Sequence, residues 1–529
     1  MGVTDYIWLG IGAVFQGPEL FAIAGFPISV TLVMILSGFL LGIMVGATPG
    51  LAGPMAMAIA LPILISAFGF SPDALLPVMG FLIGVMKGAT VGGAVPAILF
   101  NTPGTPDAYM TTLDGHPMAR SGQARKALKV AHFSSAAGDT FSDIVLILCA
   151  PFLAILVEAY LDLPEKTALL ILSLAFIASV IGGSVGKGII SMGLGLLAVY
   201  IGTGEDFYAR LSFGTQTLAD GFPVATAVLG VLILGEVFKS IEDLWRDKAK
   251  RQQADSRPLD GDQRLRIADL RRIAPFIARS AVIGTAIGAL PGVGSTLAAT
   301  LGYSTGARAH AKRTPGGPYF GEGIPEGIAA TEAANSSVSG ANLIPVLSLG
   351  IPGNAAAVFL ILAADSIGGF NPGPSVFKFT TDSVNPELVV AFGLFTAMMI
   401  ANLINWTIGG AFMRVVSVMI RVPKHILLPI VLMLTLTAIY VQETRLSAVW
   451  FAIGFGVLGY LMRRLHISPL PFVIAFILGG SLEETARQAF AATGGDPWFL
   501  FTNPLAAVFM ALAGMVILYS LRHPQETGK

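Results

Sequence analysis

What most constrains this chain is the recurrence, along nearly its whole length, of apolar stretches long enough to cross a bilayer, such as "LLPVMGFLIGVMKGATVGGAVPAILF" at residues 75–100. A crossing helix needs about 20 predominantly apolar residues. With 54% of the 529 residues hydrophobic and only 12% charged, too little polar surface remains to cover such stretches in water. The expected fold is an all-α polytopic membrane protein with about 10–12 transmembrane segments, some of them broken or re-entrant. Lys and Arg total 32 against 32 Asp and Glu, and no basic tract carries interleaved aromatics, so nucleic-acid binding has no electrostatic footprint. Cys149 is the only cysteine and lies in an apolar run, which leaves no internal disulfide. Residues 1–27 carry no Lys or Arg, so the basic start of a cleavable signal peptide is missing and the first apolar segments are expected to direct insertion.

One strongly hydrophilic segment interrupts the apolar pattern. Residues 245–275, "WRDKAKRQQADSRPLDGDQRLRIADLRRIAP", hold nine Lys or Arg against five Asp, and the positive-inside rule places them in the cytoplasm. The expected organisation is a first membrane repeat at 1–245, a basic linker at 246–275 and a second repeat at 276–529. "GIMVGATPG" (42–50) matches "GTAIGALPG" (284–292) at Gly42/Gly284, Gly46/Gly288, Ala47/Ala289, Pro49/Pro291 and Gly50/Gly292. Later boxes match at Pro96/Pro345, Pro103/Pro352 and Gly104/Gly353. Corresponding loops differ in charge. Residues 1–27 lack basic residues where the second half has the linker, 67–74 lack them where 304–317 carry Arg308, Lys312 and Arg313, and 113–130 are basic where 365–385 hold only Lys378. Opposite membrane orientation of the two halves predicts that pattern, so the repeats are expected to be inverted.

Pro removes a backbone donor and Gly tolerates conformations a helix cannot use, so the paired boxes read as helix breaks. In lipid such breaks survive only where they face protein or a wet cavity, and paired breaks in two halves point to a transport site near the midplane. Broken ends would present N–H groups to an anion and carbonyls to a cation. Beside the breaks stand Thr48, Asn101, Thr102, Pro103, Gly104, Ser295, Thr296, Gly353 and Asn354, with Asn335 and Ser336 in the run before the second Pro-Gly box. Their hydroxyls and amides suit a carboxylate or a hard cation such as sodium; the alternative is that they cap their own helices. Candidate sodium positions are Gly50, Asn101, Gly292, Glu332 and Asn354.

Two charges stand inside apolar segments. Lys87 would favour a carboxylate solute if it faces the site, or would be a snorkelling or loop lysine if it does not. Glu332 could bind a coupling cation, cap a helix start or pair across the repeats. Asp139 and Asp143, four apart on one helix face, read as structural residues near the interface, and Glu443 with Arg445 as a loop pair. Enzyme motifs fail: "PGVGST" lacks the Lys of a phosphate-binding loop, no His or Cys spacing suits zinc, and no nucleophile elbow is present.

"GATPGLAGPMAMAIALPI", "GGAVPAILFNTPGTPDAYMTTLDGHPMARSGQARKAL" and "EGIAATEAANSSVSGANLIPVLSLGIPGNAAAV" resemble the large membrane subunit of bacterial tripartite tricarboxylate transporters, and the resemblance runs along nearly the whole chain. It implies a permease of the cytoplasmic (inner) membrane working with a small membrane subunit and a periplasmic solute-binding protein. Uptake would be driven by a sodium or proton gradient without a further cofactor, and pairing into a homodimer is an expectation of the same kind. The sequence departs from the family pattern at Lys87 and Val91, where aromatics are usual, at Ala94, at Thr331 in place of Pro, and at Ser336 in place of Asn. These changes bear on the solute, so citrate is not assumed. Competing readings are a channel or scaffold subunit without coupled transport and an integral-membrane enzyme.

Overall fold

A computed structural model describes residues 2–23, 26–48, 51–181, 184–203, 209–212, 214–246, 263–291, 294–314, 317–379, 383–419 and 424–522. The first half builds α1 (Val3–Phe15), α2 (Val30–Gly46), α3 (Gly53–Phe68), α4 (Leu75–Phe100), α5 (Tyr109–Met118), α6 (Ala124–Tyr160), α7 (Leu163–Ile181), α8 (Val185–Val199), α9 (Val224–Leu229) and α10 (Gly235–Arg246). The second half builds α11 (Ile267–Gly288), α12 (Ser295–Arg313), α13 (Pro325–Ala341), α14 (Leu343–Leu349), α15 (Ala355–Ile367), α16 (Pro386–Ile404) and α17 (Gly410–Met419). It ends with α18 (Lys424–Glu443), α19 (Leu446–Arg464), α20 (Leu470–Ala492), α21 (Phe499–Thr502) and α22 (Pro504–Arg522). Strands among the described residues are confined to two antiparallel pairs, β1 (Glu19–Ile23) with β2 (Phe26–Ser29) and the two-residue β3 (Gly202–Thr203) with β4 (Ala209–Arg210). Six described helical segments are long and apolar enough to cross a membrane, and six shorter apolar helices accompany them. The fold is the expected all-α polytopic one.

The helices form two compact units, one of residues 1–153, 249–290 and 294–423, the other of 154–248, 291–293 and 424–529. Each unit draws on both halves of the chain, so the units and the sequence repeats are different partitions. Residues 247–262 of the linker lie outside the described residues, and α11 already begins at Ile267 within the stretch assigned to the linker. Its start is held by Asp269, which accepts the Arg266 N–H at 3.0 Å and pairs with Lys126 at 3.0 Å.

In the first unit α2 lies directly on α4 because both contact faces carry glycine at four-residue spacing. A Cβ at Gly46 would stand 2.1 Å from the Ala89 carbonyl oxygen, and one at Gly88 2.1 Å from that of Phe39. With no hydrophobic drive between helices in lipid, such close backbone approach is what holds helices together. The second half repeats the device, with α11 seated on α13: a Cβ at Gly284 would lie 2.2 Å from the Ala334 carbonyl oxygen. Phe39, Ile43, Val91, Val95, Ile273, Ile277 and Ile328 close the core between these pairs.

The second unit packs α7 against α8, α20 and α22, and α10 against α19. Here a π turn at Gly230–Leu234 leaves carbonyls that Arg463 of α19 takes up, donating to Val231 and Leu232 at 2.8 Å each while pairing with Glu236 at 2.7 Å.

Candidate functional site

Both halves break their helices at matched residues. Helix α2 ends at Gly46 and α3 begins at Gly53; α11 ends at the matching Gly288 and α12 begins at Ser295, the same distance on. Pro49, Gly50 and Gly292 lie outside the described residues, and with them two of the candidate sodium positions. The second break repeats in finer detail. Helix α4 stops at Asn101 (φ 51°, ψ 31°) and α14 at Gly350 (φ 71°, ψ 16°), both left-handed. In each, the next N–H turns back to the matched proline carbonyl, Thr102 to Pro96 at 3.3 Å and Ile351 to Pro345 at 3.2 Å. This is a left-handed helix stop, in which Gly is at home and Asn is the tolerated substitute. Pro103 and Pro352 then bar continuation of the helix.

The polar residues beside the breaks divide into two groups. Thr48 donates to the Met44 carbonyl at 2.8 Å, Thr102 donates to that of Phe100 at 3.2 Å, and Asn354 accepts the Ala357 N–H at 2.8 Å as the N-cap of α15. These three serve their own backbone. Asn101 is exposed at its turn, and Ser295 and Thr296 occupy the first turn of α12. Gly104 brings the first Pro-Gly turn onto the end of α2, where a Cβ would meet the Gly46 carbonyl oxygen at 2.1 Å.

The second group faces inward from α13. Asn335 and Ser336 are buried, and neither the Asn335 amide nor the Ser336 hydroxyl has a hydrogen-bond partner among the described residues. Asn342, two helical turns beyond Asn335 and on the same face, is buried and equally unpartnered. Its Oδ1 lies against Gly353, where a Cβ would stand 2.8 Å away, so this polar face reaches the second Pro-Gly turn. Asn342 was not singled out from sequence, although an Asn directly before the apolar run "LIPVLSL" is a visible signal. A buried polar group without a partner costs about 1–3 kcal/mol, so three on one segment call for a common one. Amides and a hydroxyl can donate to a carboxylate or offer oxygens to a hard cation.

The charges behave differently from their sequence reading. Lys87 is 1% exposed, which excludes a snorkelling or loop lysine. Its Nζ donates to Asp139 Oδ1 at 2.7 Å, Asp143 Oδ2 at 2.7 Å and Asn402 Oδ1 at 3.2 Å. An ammonium has three donors, and all are engaged. Asp139 and Asp143 are therefore not interfacial: both are buried, aimed from α6 at α4, and held further by Ser339 and by the Asn402 amide. Glu332 is neither a helix-start cap nor an ion-pair partner across the repeats; from mid-α13 it accepts hydrogen bonds from Thr111 and, at 2.9 Å, from Ser135. Asp114, in "LDGHP", was also missed. Its Oδ1 gathers the N–H groups of Gly321, Gly323 and Ile324 at 3.0 Å each, and Tyr303 donates to Oδ2 at 2.9 Å. Gly321 and Gly323 have φ of 99° and 89°, conformations that L side chains rarely adopt, so the pair shapes the loop entering α13 around this carboxylate.

Paired helix breaks in register, glycine-faced helix contacts and a buried polar face together define a polytopic membrane protein of the transporter class. The chain belongs to the tripartite tricarboxylate transporter TctA family, which it matches over residues 32–474. It is similar to a 52.8 kDa Agrobacterium vitis protein encoded in the TAR-I ttuC' 3' region, 32% identical over 496 residues and covering 93% of each chain. A second Agrobacterium vitis protein, from the TAR-II ttuC' 3' region, is 30% identical over 238 residues, 45% of this chain and 93% of its own length. No solved structure matches the chain.

Proposed function

We propose that the chain is a secondary active uptake permease for a di- or tricarboxylate in the cytoplasmic membrane. It would receive its solute from a periplasmic binding protein, work with a small membrane subunit and move the solute by alternating access. The observation that carries this reading is the set of buried, unpartnered polar side chains Asn335, Ser336 and Asn342 on one segment, of which Asn342 lies against the Pro-Gly turn at Gly353. Family membership supports the tripartite partnership and the carboxylate class.

Charge supports coupling to a cation. Lys87 is shared by two buried carboxylates, Asp139 and Asp143, while Glu332 is buried in the same unit with only hydroxyl donors against it. Uncompensated charge at such depth is costly, so a proton or a sodium ion would complete the balance. Lys87, its donors already shared among three acceptors, is better suited to fixing α4 against α6 than to binding a solute carboxylate.

The test is uptake into proteoliposomes holding the chain and its small partner, with the cognate binding protein outside and a panel of labelled di- and tricarboxylates. Accumulation that follows an imposed sodium or proton gradient is expected for one acid. Equilibration without accumulation under either gradient would replace the permease with a channel.

A further inference from the structure

Away from the breaks, the basic end of α6 and the start of α17 enclose a cavity of about 250 Å³. Arg125, Lys129 and His132 form one wall at helical spacing; Trp406, Thr407 and Arg414 stand on the other. A π turn at Asn405–Gly409 shapes that second wall. His132 Nε2 is 2.9 Å from the Asn405 carbonyl oxygen, and its ring lies against Gly409 and Gly410, where a Cβ would meet it at 3.2 and 2.9 Å. π turns inside helices recur at functional positions.

The cavity has an excess of positive charge. Neither Arg125, Lys129 nor Arg414 has a carboxylate partner among the described residues. Lys129 Nζ donates to the Gln263 carbonyl at 3.2 Å, and Arg414 Nε to that of Gly410 at 3.2 Å, which leaves both Arg414 terminal nitrogens without a partner among the described residues. Lys126, beside them, is neutralised by Asp269 at 3.0 Å. A concave site lined by unneutralised guanidinium and ammonium groups takes an anion, and guanidinium suits phosphate oxygens.

The surroundings say which anion. Trp406 is 40% exposed, donates through Nε1 to Thr140 at 3.0 Å and packs edge-on to Phe133, the pose of a tryptophan at a membrane interface. Beyond the cavity the exposed residues are large and apolar: Ile144, Leu148 and Phe152 along α6, and Leu403 on α16. Basic residues 113–130 put this end at the cytoplasmic leaflet by the positive-inside rule. A headgroup in the cavity would thus leave its acyl chains on an apolar surface.

We infer that the cavity between α6 and α17 is a binding site for the phosphate headgroup of an anionic phospholipid in the cytoplasmic leaflet. Basic pockets between membrane helices on that side hold such headgroups. The site is independent of the solute and of the coupling ion.

Binding is measured on the full chain in detergent by native mass spectrometry during titration with phosphatidylglycerol, cardiolipin or phosphatidylcholine. Inorganic phosphate, glycerol phosphate and a tricarboxylate serve as chain-free anions. The wild type is expected to retain the two anionic lipids selectively, and R125Q/R414Q to bind them roughly thirty-fold more weakly, whereas R308Q/K312Q keeps wild-type affinity. Equal retention by R125Q/R414Q overturns the site, and chain-free anions binding as tightly as lipid overturn the lipid assignment. Should R125Q/R414Q not fold, fluorescence decides: subtracting W406F from wild type isolates Trp406 in bilayers of chain-brominated lipid. Stronger quenching by brominated phosphatidylglycerol than by brominated phosphatidylcholine is expected, and equal quenching overturns the inference.

Discussion

At the residue scale, Lys87 controls more free energy than its place in a glycine-rich helix suggests. Removing one member of a buried charge cluster strands the others, a loss of about 3–5 kcal/mol. Lys87→Met would leave Asp139 and Asp143 buried without their cation, and the expected outcome is poor yield of monodisperse protein and a lowered unfolding midpoint. Replacing a carboxylate as well, in Lys87→Met/Asp143→Asn, is expected to recover part of that loss. If the double variant is no better than the single one, the cluster does not set the stability. Asp114 makes a parallel case. Asp114→Ala strands three backbone N–H groups, at about 1–3 kcal/mol for each left unsatisfied, and is expected to expose the 317–324 loop to limited proteolysis before global unfolding. The i, i+4 spacing that puts Asp139 and Asp143 on one face was legible in the sequence. Their partner was not, because Lys87 lies 52 and 56 residues away and the adjacent basic loop pointed to the interface instead. Apolar segments rarely hold charges that do not pair, and that rule alone would have joined them.

Among the helices, glycine marks where backbones touch. Gly88→Leu would drive a side chain into the Phe39 carbonyl, and overpacking of this kind costs about 1–3 kcal/mol or more. Gly193→Ala, in the interior of α8 with nothing within 4 Å of its Cβ, is the contrast, with an expected gain of about 0.5–1 kcal/mol from helix propensity. Thermal unfolding of the two variants in one detergent checks both signs; a neutral Gly88→Leu would mean that α2 and α4 do not pack as described. The breaks themselves were legible, down to matched positions, because Pro and Gly impose their backbone geometry wherever they stand. What each neighbouring side chain does was not. Thr48, Thr102 and Asn354 turned out to serve their own helices, while Asn342, unremarked in the sequence, is buried without a partner, since a helix cap and a buried polar group awaiting a ligand use the same residue types.

For the whole molecule, the matched breaks show that two broken elements recur in order in the two halves, and the loop charges argue for opposite orientation of those halves. The two statements are separable, because parallel and inverted repeats can share identical helix breaks. Cys149 makes the distinction measurable: Cys149→Ser gives a chain without cysteine, into which single residues can be placed at four exposed positions between the long helices. Ser71→Cys and Ser383→Cys lie in segments poor in basic residues, whereas Ser121→Cys and Thr314→Cys lie in or beside basic ones. Inverted repeats place the first two outside and the last two in the cytoplasm. An impermeant maleimide is therefore expected to label Ser71→Cys and Ser383→Cys in intact spheroplasts, and the other two only after permeabilisation. The comparison that decides is Ser71→Cys against Thr314→Cys, since each follows the first broken element of its own half. Labelling from one side would make the halves parallel, and a midplane site between oppositely oriented breaks would no longer follow. Labelling from opposite sides means the two Pro-Gly turns enter the membrane from opposite faces, the arrangement an alternating-access carrier needs to expose one site to each side in turn.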